Sequence, residues 1–182
     1  MLENWVVTPT CLPLVLRRCR VCASERFRAN GKFRVNAHHK LIDAWLLVLC
    51  TMCGDTAKLT VLERTNVRSV RPELLNRLHG NDPGLAAELL RDPVVRRRNR
   101  IALDWDDAWR LDTGGAERPD REVLDVSVRF AARIPVRPVR LIAEGCALSR
   151  AETERLIAEG RLVSAVRLNA RLSGDFTFTL KR

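Results

Sequence analysis

The sequence predicts an α+β protein in three consecutive parts: an antiparallel N-terminal sheet, a helical middle and a small C-terminal α/β module. Three observations lead there. Two Cys-x-x-Cys pairs, Cys19/Cys22 and Cys50/Cys53, bracket short segments rich in Val, Leu and Thr. Pro72, Pro83 and Pro93 each open a stretch with helical spacing or strong capping residues. Pro138 to Gly160 then reads as two helices leading into further strands. The implied boundaries are 1–66, 67–118 and 119–182.

The N-terminal strands are expected at Trp5-Val-Val, Val15-Leu-Arg, Phe33-Arg-Val, Ile42 to Leu49 and Leu59-Thr-Val-Leu. Asn30-Gly31 signals a turn before Lys32-Phe33-Arg34-Val35. Asn36-Ala-His-His-Lys40 turns that strand back into the apolar run ending at Cys50. In the middle, Leu74, Leu75 and Leu78 follow Pro72, and Asn81-Asp82-Pro83 caps a second helix bearing Leu85, Leu89 and Leu90. Pro93 opens a third, with Arg96-Arg97-Arg98. Trp105 and Trp109, four apart, are expected on one helical face of the core.

Asp112 to Pro119 has linker composition. A strand from Val123 to Phe130 and a helix from Pro138 to Glu144 follow. Ser149-Arg-Ala-Glu152 is a capping box, and Gly160 closes its helix. The last strands are expected at Leu162 to Leu168 and Phe176 to Leu180, joined through Ser173-Gly174-Asp175.

Composition narrows the function classes. The 182 residues are 46% hydrophobic and 30% charged, which excludes wholesale disorder. The longest apolar run, Ala44 to Leu49, is far below the ~20 residues of a membrane helix. The start, Met1-Leu-Glu-Asn-Trp, lacks the pattern of a secretory signal, so a cytoplasmic protein is expected. The net charge is +10, divided as +6 over residues 1–70, −1 over 71–120 and +5 over 121–182. Basic outer segments suggest a polyanionic partner. Only four of the 32 basic residues are Lys, so part of the excess is simply a preference for Arg on solvated faces.

Of the six cysteines, four fall in the two Cys-x-x-Cys pairs. Such a turn directs both sulfurs at one ion while backbone amides stabilise their charge, and two turns at strand ends complete a tetrahedral thiolate cage. The intervening hairpin, Ala23 to Leu49, is longer than the common ~15–20 residues, which extends a ribbon without moving its ends. Disulfides are not expected without a secretion signal. A thioredoxin-type motif would occur once, within a βαβ pattern. One structural Zn²⁺ on Cys19, Cys22, Cys50 and Cys53 is therefore expected, closed to water. His38 and His39 are the alternative ligands nearby, though exposed turn residues are the default. Cys11 and Cys146 are expected to be ordinary small apolar residues.

The N-terminal third resembles a zinc ribbon, with Cys19-Arg-Val-Cys22 and Cys50-Thr-Met-Cys53-Gly54 as its knuckles. The stretch Arg137 to Leu162, with its Ser149-Arg150 turn and Leu156-Ile-Ala-Glu-Gly160, resembles the RNA-binding domain of the ribosomal protein S-four type. Gly174-Asp175 before Phe176-Thr-Phe-Thr-Leu180 resembles its closing strand. This resemblance implies RNA binding through Arg137, Arg140, Arg150 and Arg155. The sequence departs from the pattern at Asn169-Ala170, where a Val-Asn-Gly turn is usual. Taken whole, the sequence resembles an uncharacterised bacterial domain-of-unknown-function family. Trp5-Val-Val-Thr-Pro, the four cysteines, Gly31-Lys-Phe-Arg-Val-Asn36, Leu41-Ile-Asp-Ala-Trp45, Asn81-Asp82 and the last strand carry that likeness, which implies an architecture and no activity.

The expected function is a noncatalytic zinc-binding protein whose basic segments meet RNA or a ribosome surface. The alternatives are a protein-interaction module or a DNA-binding regulator built on the ribbon. An enzyme is not expected: His79 and the His38-His39 pair are the only histidines, and no Gly-rich phosphate loop is present. The cluster Asp104-Trp-Asp106-Asp107 could attract a divalent ion, though such residues also suit a helix start.

Overall fold

A computed structural model of the chain describes residues 2–115 and 122–181. The final part of the expected linker, 116–119, and the boundary at 118/119 lie outside them. The chain runs through β1 (Leu2–Pro9), β2 (Leu14–Leu16), β3 (Arg26–His38), β4 (Leu41–Cys50) and β5 (Thr56–Asn66). A short 3-10 turn, Val67–Ser69, leads into α1 (Pro72–His79), α2 (Pro83–Arg91) and α3 (Pro93–Asn99). Then come β6 (Ala102–Asp104), β7 (Trp109–Asp112), β8 (Val123–Phe130), α4 (Pro138–Cys146), α5 (Arg150–Ala158), β9 (Leu162–Ser164) and β10 (Phe176–Lys181). The fold is mixed α+β, in two compact units: Met1–Cys11 with Trp105–Arg182, and Leu12–Asp104.

The unit Leu12–Asp104 is built on an antiparallel sheet in the order β5-β4-β3-β2-β6. Strict alternation along β4 buries Ile42, Ala44, Leu46, Val48 and Cys50 on one face. That face joins Val15, Phe27 and Leu59 to Leu78, Leu85 and Leu90 from the helices. Each helix begins where a proline needs no donor partner. Asp82 accepts from the amides of Gly84 and Leu85, and Asp92 accepts from Val94. Arg77 ties α1 to α2, donating to Asp82 at 2.6 Å and to both carboxylate oxygens of Glu88 at 2.9 Å. The outer edge of β5 is covered by α3: Asn99 Oδ1 accepts from the Thr60 amide and Asn99 Nδ2 donates to the Thr60 carbonyl. A side-chain amide here replaces a missing strand.

The other unit carries a sheet in the order β7-β1-β8-β10-β9. β1 lies parallel to β8, with Trp5 opposite Val128, and antiparallel to β7, with Val7 opposite Leu111. Its apolar face gathers Trp5, Val7, Leu124, Val126, Phe178 and Leu180, all buried. Trp5 meets Phe178 edge to face at 5.4 Å. Helix α4 packs against Trp5 through Gly145. A left-handed Ala147 ends α4, and Ser149 Oγ then accepts from the Glu152 amide to start α5.

Several expectations are corrected. The three consecutive parts, 1–66, 67–118 and 119–182, give way to two units. β1 belongs with the C-terminal strands, because its buried Trp5 and Val7 fill the space beside Val128 and Leu111. The helical middle is no connector, because its leucines complete the core of the first sheet. Asn30-Gly31 makes no hairpin turn. It is an irregularity inside β3 between Ala29 and Phe33, with Gly31 at φ +74°. The turn expected over Asn36 to Lys40 is present but tighter, His39-Lys40, since His38 pairs directly with Leu41. Trp105 and Trp109 share no helix: Trp105 starts a turn, whose Ala108 amide donates to its carbonyl, and Trp109 opens β7. The strand expected over Leu162 to Leu168 ends at Ser164.

A Cβ on Gly145 would overlap the Trp5 indole and lie 2.9 Å from Leu111 Cδ2. Gly145→Ala is therefore expected to cost about 1–3 kcal/mol in urea unfolding. Gly174→Ala, with open space around its Cβ, should be near neutral. Equal stability of both variants would contradict this packing.

Candidate metal centre and arginine-lined cleft

The two Cys-x-x-Cys segments fold into matching knuckles. In the first, the Cys19 amide donates to the Ser24 carbonyl at 2.7 Å; in the second, the Cys50 amide donates to the Asp55 carbonyl at 2.8 Å. The residue after each second cysteine has positive φ, Ala23 at 59° and Gly54 at 73°. Gly54 adopts this freely, whereas Ala23 does so against its Cβ. The knuckles lie at the end of the β3–β4 ribbon where Phe27 pairs with Cys50. Thr51 ties the second knuckle to the start of β3, donating from its amide and its hydroxyl to the Arg26 carbonyl, each at 3.0 Å.

This geometry brings the sulfurs of Cys19, Cys22, Cys50 and Cys53 within 4.8 Å of one another. Cys19 and Cys53 are 3.7 Å apart, Cys22 and Cys50 3.5 Å. Disulfides need about 2.05 Å, and all six cysteines are free. A tetrahedral cage with metal–sulfur bonds of about 2.3 Å has sulfur–sulfur edges near 3.8 Å. The four thiols thus form a cluster that could hold one metal ion. Cys19 and Cys50 are buried, while Cys22 and Cys53 are exposed.

The thiols compete for protons. The Cys53 amide, followed by the Met52 amide and neighbouring sulfurs, outweighs burial and draws Cys50 down from 9.0 to about 6. The Asp55 amide pulls Cys53 the same way, but burial and hydrogen bonds shared with Cys22, Cys50 and Cys19 push it up to about 12. One thiolate forms readily and resists the next. A divalent cation removes that conflict by supplying the missing positive charge.

His38 and His39 stand at the opposite end of the β3–β4 ribbon from Cys50, exposed and stacked edge to face at 4.4 Å. His38 ends β3 and His39 lies in the turn that follows, both away from the sulfurs. Cys146 is buried as expected, but Cys11 is exposed, so it is no packed apolar residue. The carboxylates of the acidic cluster meet arginines: Asp104 with Arg26, Asp106 with Arg171 and Asp107 with Arg140.

A second feature lies between α4, α5 and the segment after β9. Arg137, Arg140, Arg150, Arg167 and Arg171 line a cleft of about 1310 Å³, with Asp106 and Glu154 also on its walls. Val139, Ile157, Leu162 and Val166 supply apolar lining. Arg140 pairs with Asp107 at 3.1 Å and lies 5.7 Å from the Trp109 ring centre. Arg150 pairs with Glu154 at 2.8 Å. Arg137 and Arg167 have no ion-pair partner among the described residues. Arg155 is not on the cleft; it lies beside Glu152 and Glu159 on α5. Arg167 went unread in the sequence because it falls within the strand expected over Leu162 to Leu168, and Arg171 because it falls in the connection after that strand. The signal available was Asn169-Ala170 followed by a Ser-Gly turn, a composition that suits a loop.

Cys50→Ser is expected to weaken zinc binding at least about a hundredfold, read by competition with a chromophoric chelator. Because Cys50 is depressed in the fold, its contribution is present above the ordinary thiol value and lost as pH falls through about 6. Metal added at pH 8 should therefore be released on acidification toward about pH 5. Retention at that pH, or an unaffected Cys50→Ser, would contradict the thiolate cage.

Residues 35–168 match the family described as "Protein of unknown function (DUF1062)". The match begins within β3, beyond Cys19 and Cys22, and spans nearly three-quarters of the chain, including Cys50, Cys53 and every arginine of the cleft except Arg171. No curated protein and no solved structure gives a significant match. With more than half of its length matched, the chain belongs to the DUF1062 family.

Proposed function

We propose that the chain is a noncatalytic zinc-binding protein that binds structured RNA, free or on a ribosome surface, through the arginine-lined cleft. In this reading the two knuckles and their sheet are a zinc ribbon, and α4, α5, β9 and β10 form the S-four-like module. Zn²⁺ supplies a closed structural crosslink, since four sulfurs leave no position for water. The observation that carries the RNA reading is the convergence of five arginines on one cleft, with Arg137 and Arg167 free of carboxylates among the described residues. Guanidinium groups engage phosphate oxygens in pairs, so two unpaired forks beside three partly neutralised ones favour an anionic backbone.

A protein-interaction reading rests on a different observation. Val21 is 69% exposed and Met52 77% exposed, at equivalent positions in the two knuckles. An apolar pair at the tips suits protein docking.

Affinity for a radiolabelled RNA hairpin, measured across salt, tests the first reading. If about five phosphates are met, log affinity should fall with log salt at a slope near −4. The double variant Arg137→Glu/Arg167→Glu should bind at least about tenfold more weakly. Arg155→Glu, off the cleft, should leave binding within about twofold. Equal loss in all variants, or a flat salt response, would reject the cleft; duplex DNA bound more tightly than the hairpin would favour the DNA-regulator alternative.

A further inference from the structure

The sheet face opposite α1–α3 has an unusual composition. In an antiparallel sheet with one face on the core, the other is ordinarily polar. Here β4 places Trp45, Leu47 and Leu49 on that second face, all half-buried. Cations flank them on both neighbouring strands. Arg34 lies directly opposite Trp45, Arg28 opposite Leu49, and Lys58 opposite Leu47. Lys58 Nζ stands over the Trp45 ring, 5.1 Å from its centre, so the indole presents a face that already attracts a cation. Arg28, Arg34 and Lys58 are exposed and have no carboxylate partner among the described residues. Asp43, on the same face, points its Oδ1 at the Arg64 amide.

We infer that this face is a binding platform for single-stranded nucleic acid. A half-buried indole flanked by cations without carboxylate partners among the described residues meets both needs of an unpaired strand: a ring for one base to stack on, and positive charge along the phosphates. A duplex is disfavoured, because its base faces are already stacked and cannot reach the ring. A folded protein would leave three cations to be neutralised by carboxylates set on a flat face. When a base stacks on Trp45, Lys58 moves from the ring to a neighbouring phosphate. The platform uses elements and residues separate from the cleft, so either site can fail without the other.

The test uses the full chain, loaded with Zn²⁺, and fluorescein-labelled oligo(U) and oligo(dT) of about 12 nucleotides, a length within ordinary site sizes. Anisotropy should show binding of at least one oligomer, and tighter binding of either sugar identifies the source of the strand. Trp45→Ala should weaken it about fivefold to a hundredfold, with Trp45→Phe retaining most of the affinity. Arg34→Glu/Lys58→Glu should weaken it and flatten the salt slope by about 1.4, because two phosphates then go unneutralised. In a chain carrying Arg137→Glu/Arg167→Glu, which disables the cleft, the fold-losses caused by the Trp45 and Arg34/Lys58 variants should be the same. If Trp45→Ala fails to fold, judged by far-UV circular dichroism, the surface variant Arg34→Glu/Lys58→Glu decides. Wild-type affinity in that variant, no oligomer binding by the wild type, or duplex bound as tightly as single strand by the chain carrying Arg137→Glu/Arg167→Glu would each overturn the platform.

Discussion

The unit Leu12–Asp104 depends on bringing four sulfurs from two distant segments to one point. Left to themselves, thiols this close hold their protons against one another: Cys50 is drawn down to about 6 while Cys53 is pushed up to about 12. A cation bound there would turn this conflict into a crosslink between β2's trailing loop and the β4–β5 turn. The hairpin between them can then be long, because its ends are fixed. The matching backbone of the knuckles, with an amide of the first cysteine reaching a carbonyl five residues on, shows that the polypeptide presents both half-sites in the same way. Backbone amides around the sulfurs, such as that of Val21 at 3.4 Å from Cys19 Sγ, stabilise the thiolate charge that the metal needs.

Around this point the two faces of the sheet divide the work. One is covered by α1–α3 and makes the core. The other keeps Trp45 and its flanking cations outward, and α3 protects the β5 edge through Asn99. The second unit is organised differently, by a close approach: only glycine at position 145 lets α4 sit against Trp5. That approach sets α4 on the sheet and, with α5, shapes the walls on which Arg137, Arg140 and Arg150 stand. Charge is thus concentrated on features that rigid elements hold in place.

How legible this was in the sequence depended on the range of the interaction involved. The knuckles, the β3–β4 and β4–β5 pairings, the proline-led helices and the Ser149 cap are local, and their residues announce them. The location of β1 is not local: its pattern marks a strand, but nothing nearby says that its parallel partner begins at Val123. Asn30-Gly31 supplied the positive φ that a turn requires, and β3 used the same freedom for a bulge. Trp105 and Trp109 are four apart, which fits a helix face as well as a turn followed by a strand. The cysteine cluster was legible because two identical spacings converge on one chemistry. Two of the cleft's five arginines were not, because Arg167 and Arg171 arrive on a loop whose path no periodicity encodes.

X-ray absorption at the sulfur and zinc K-edges of the purified full chain decides whether the thiolate cage exists. One zinc per chain is expected, in a shell of four sulfurs at about 2.3 Å. Folded protein lacking zinc, or a zinc shell dominated by nitrogen or oxygen, would show that the four cysteines do not form it.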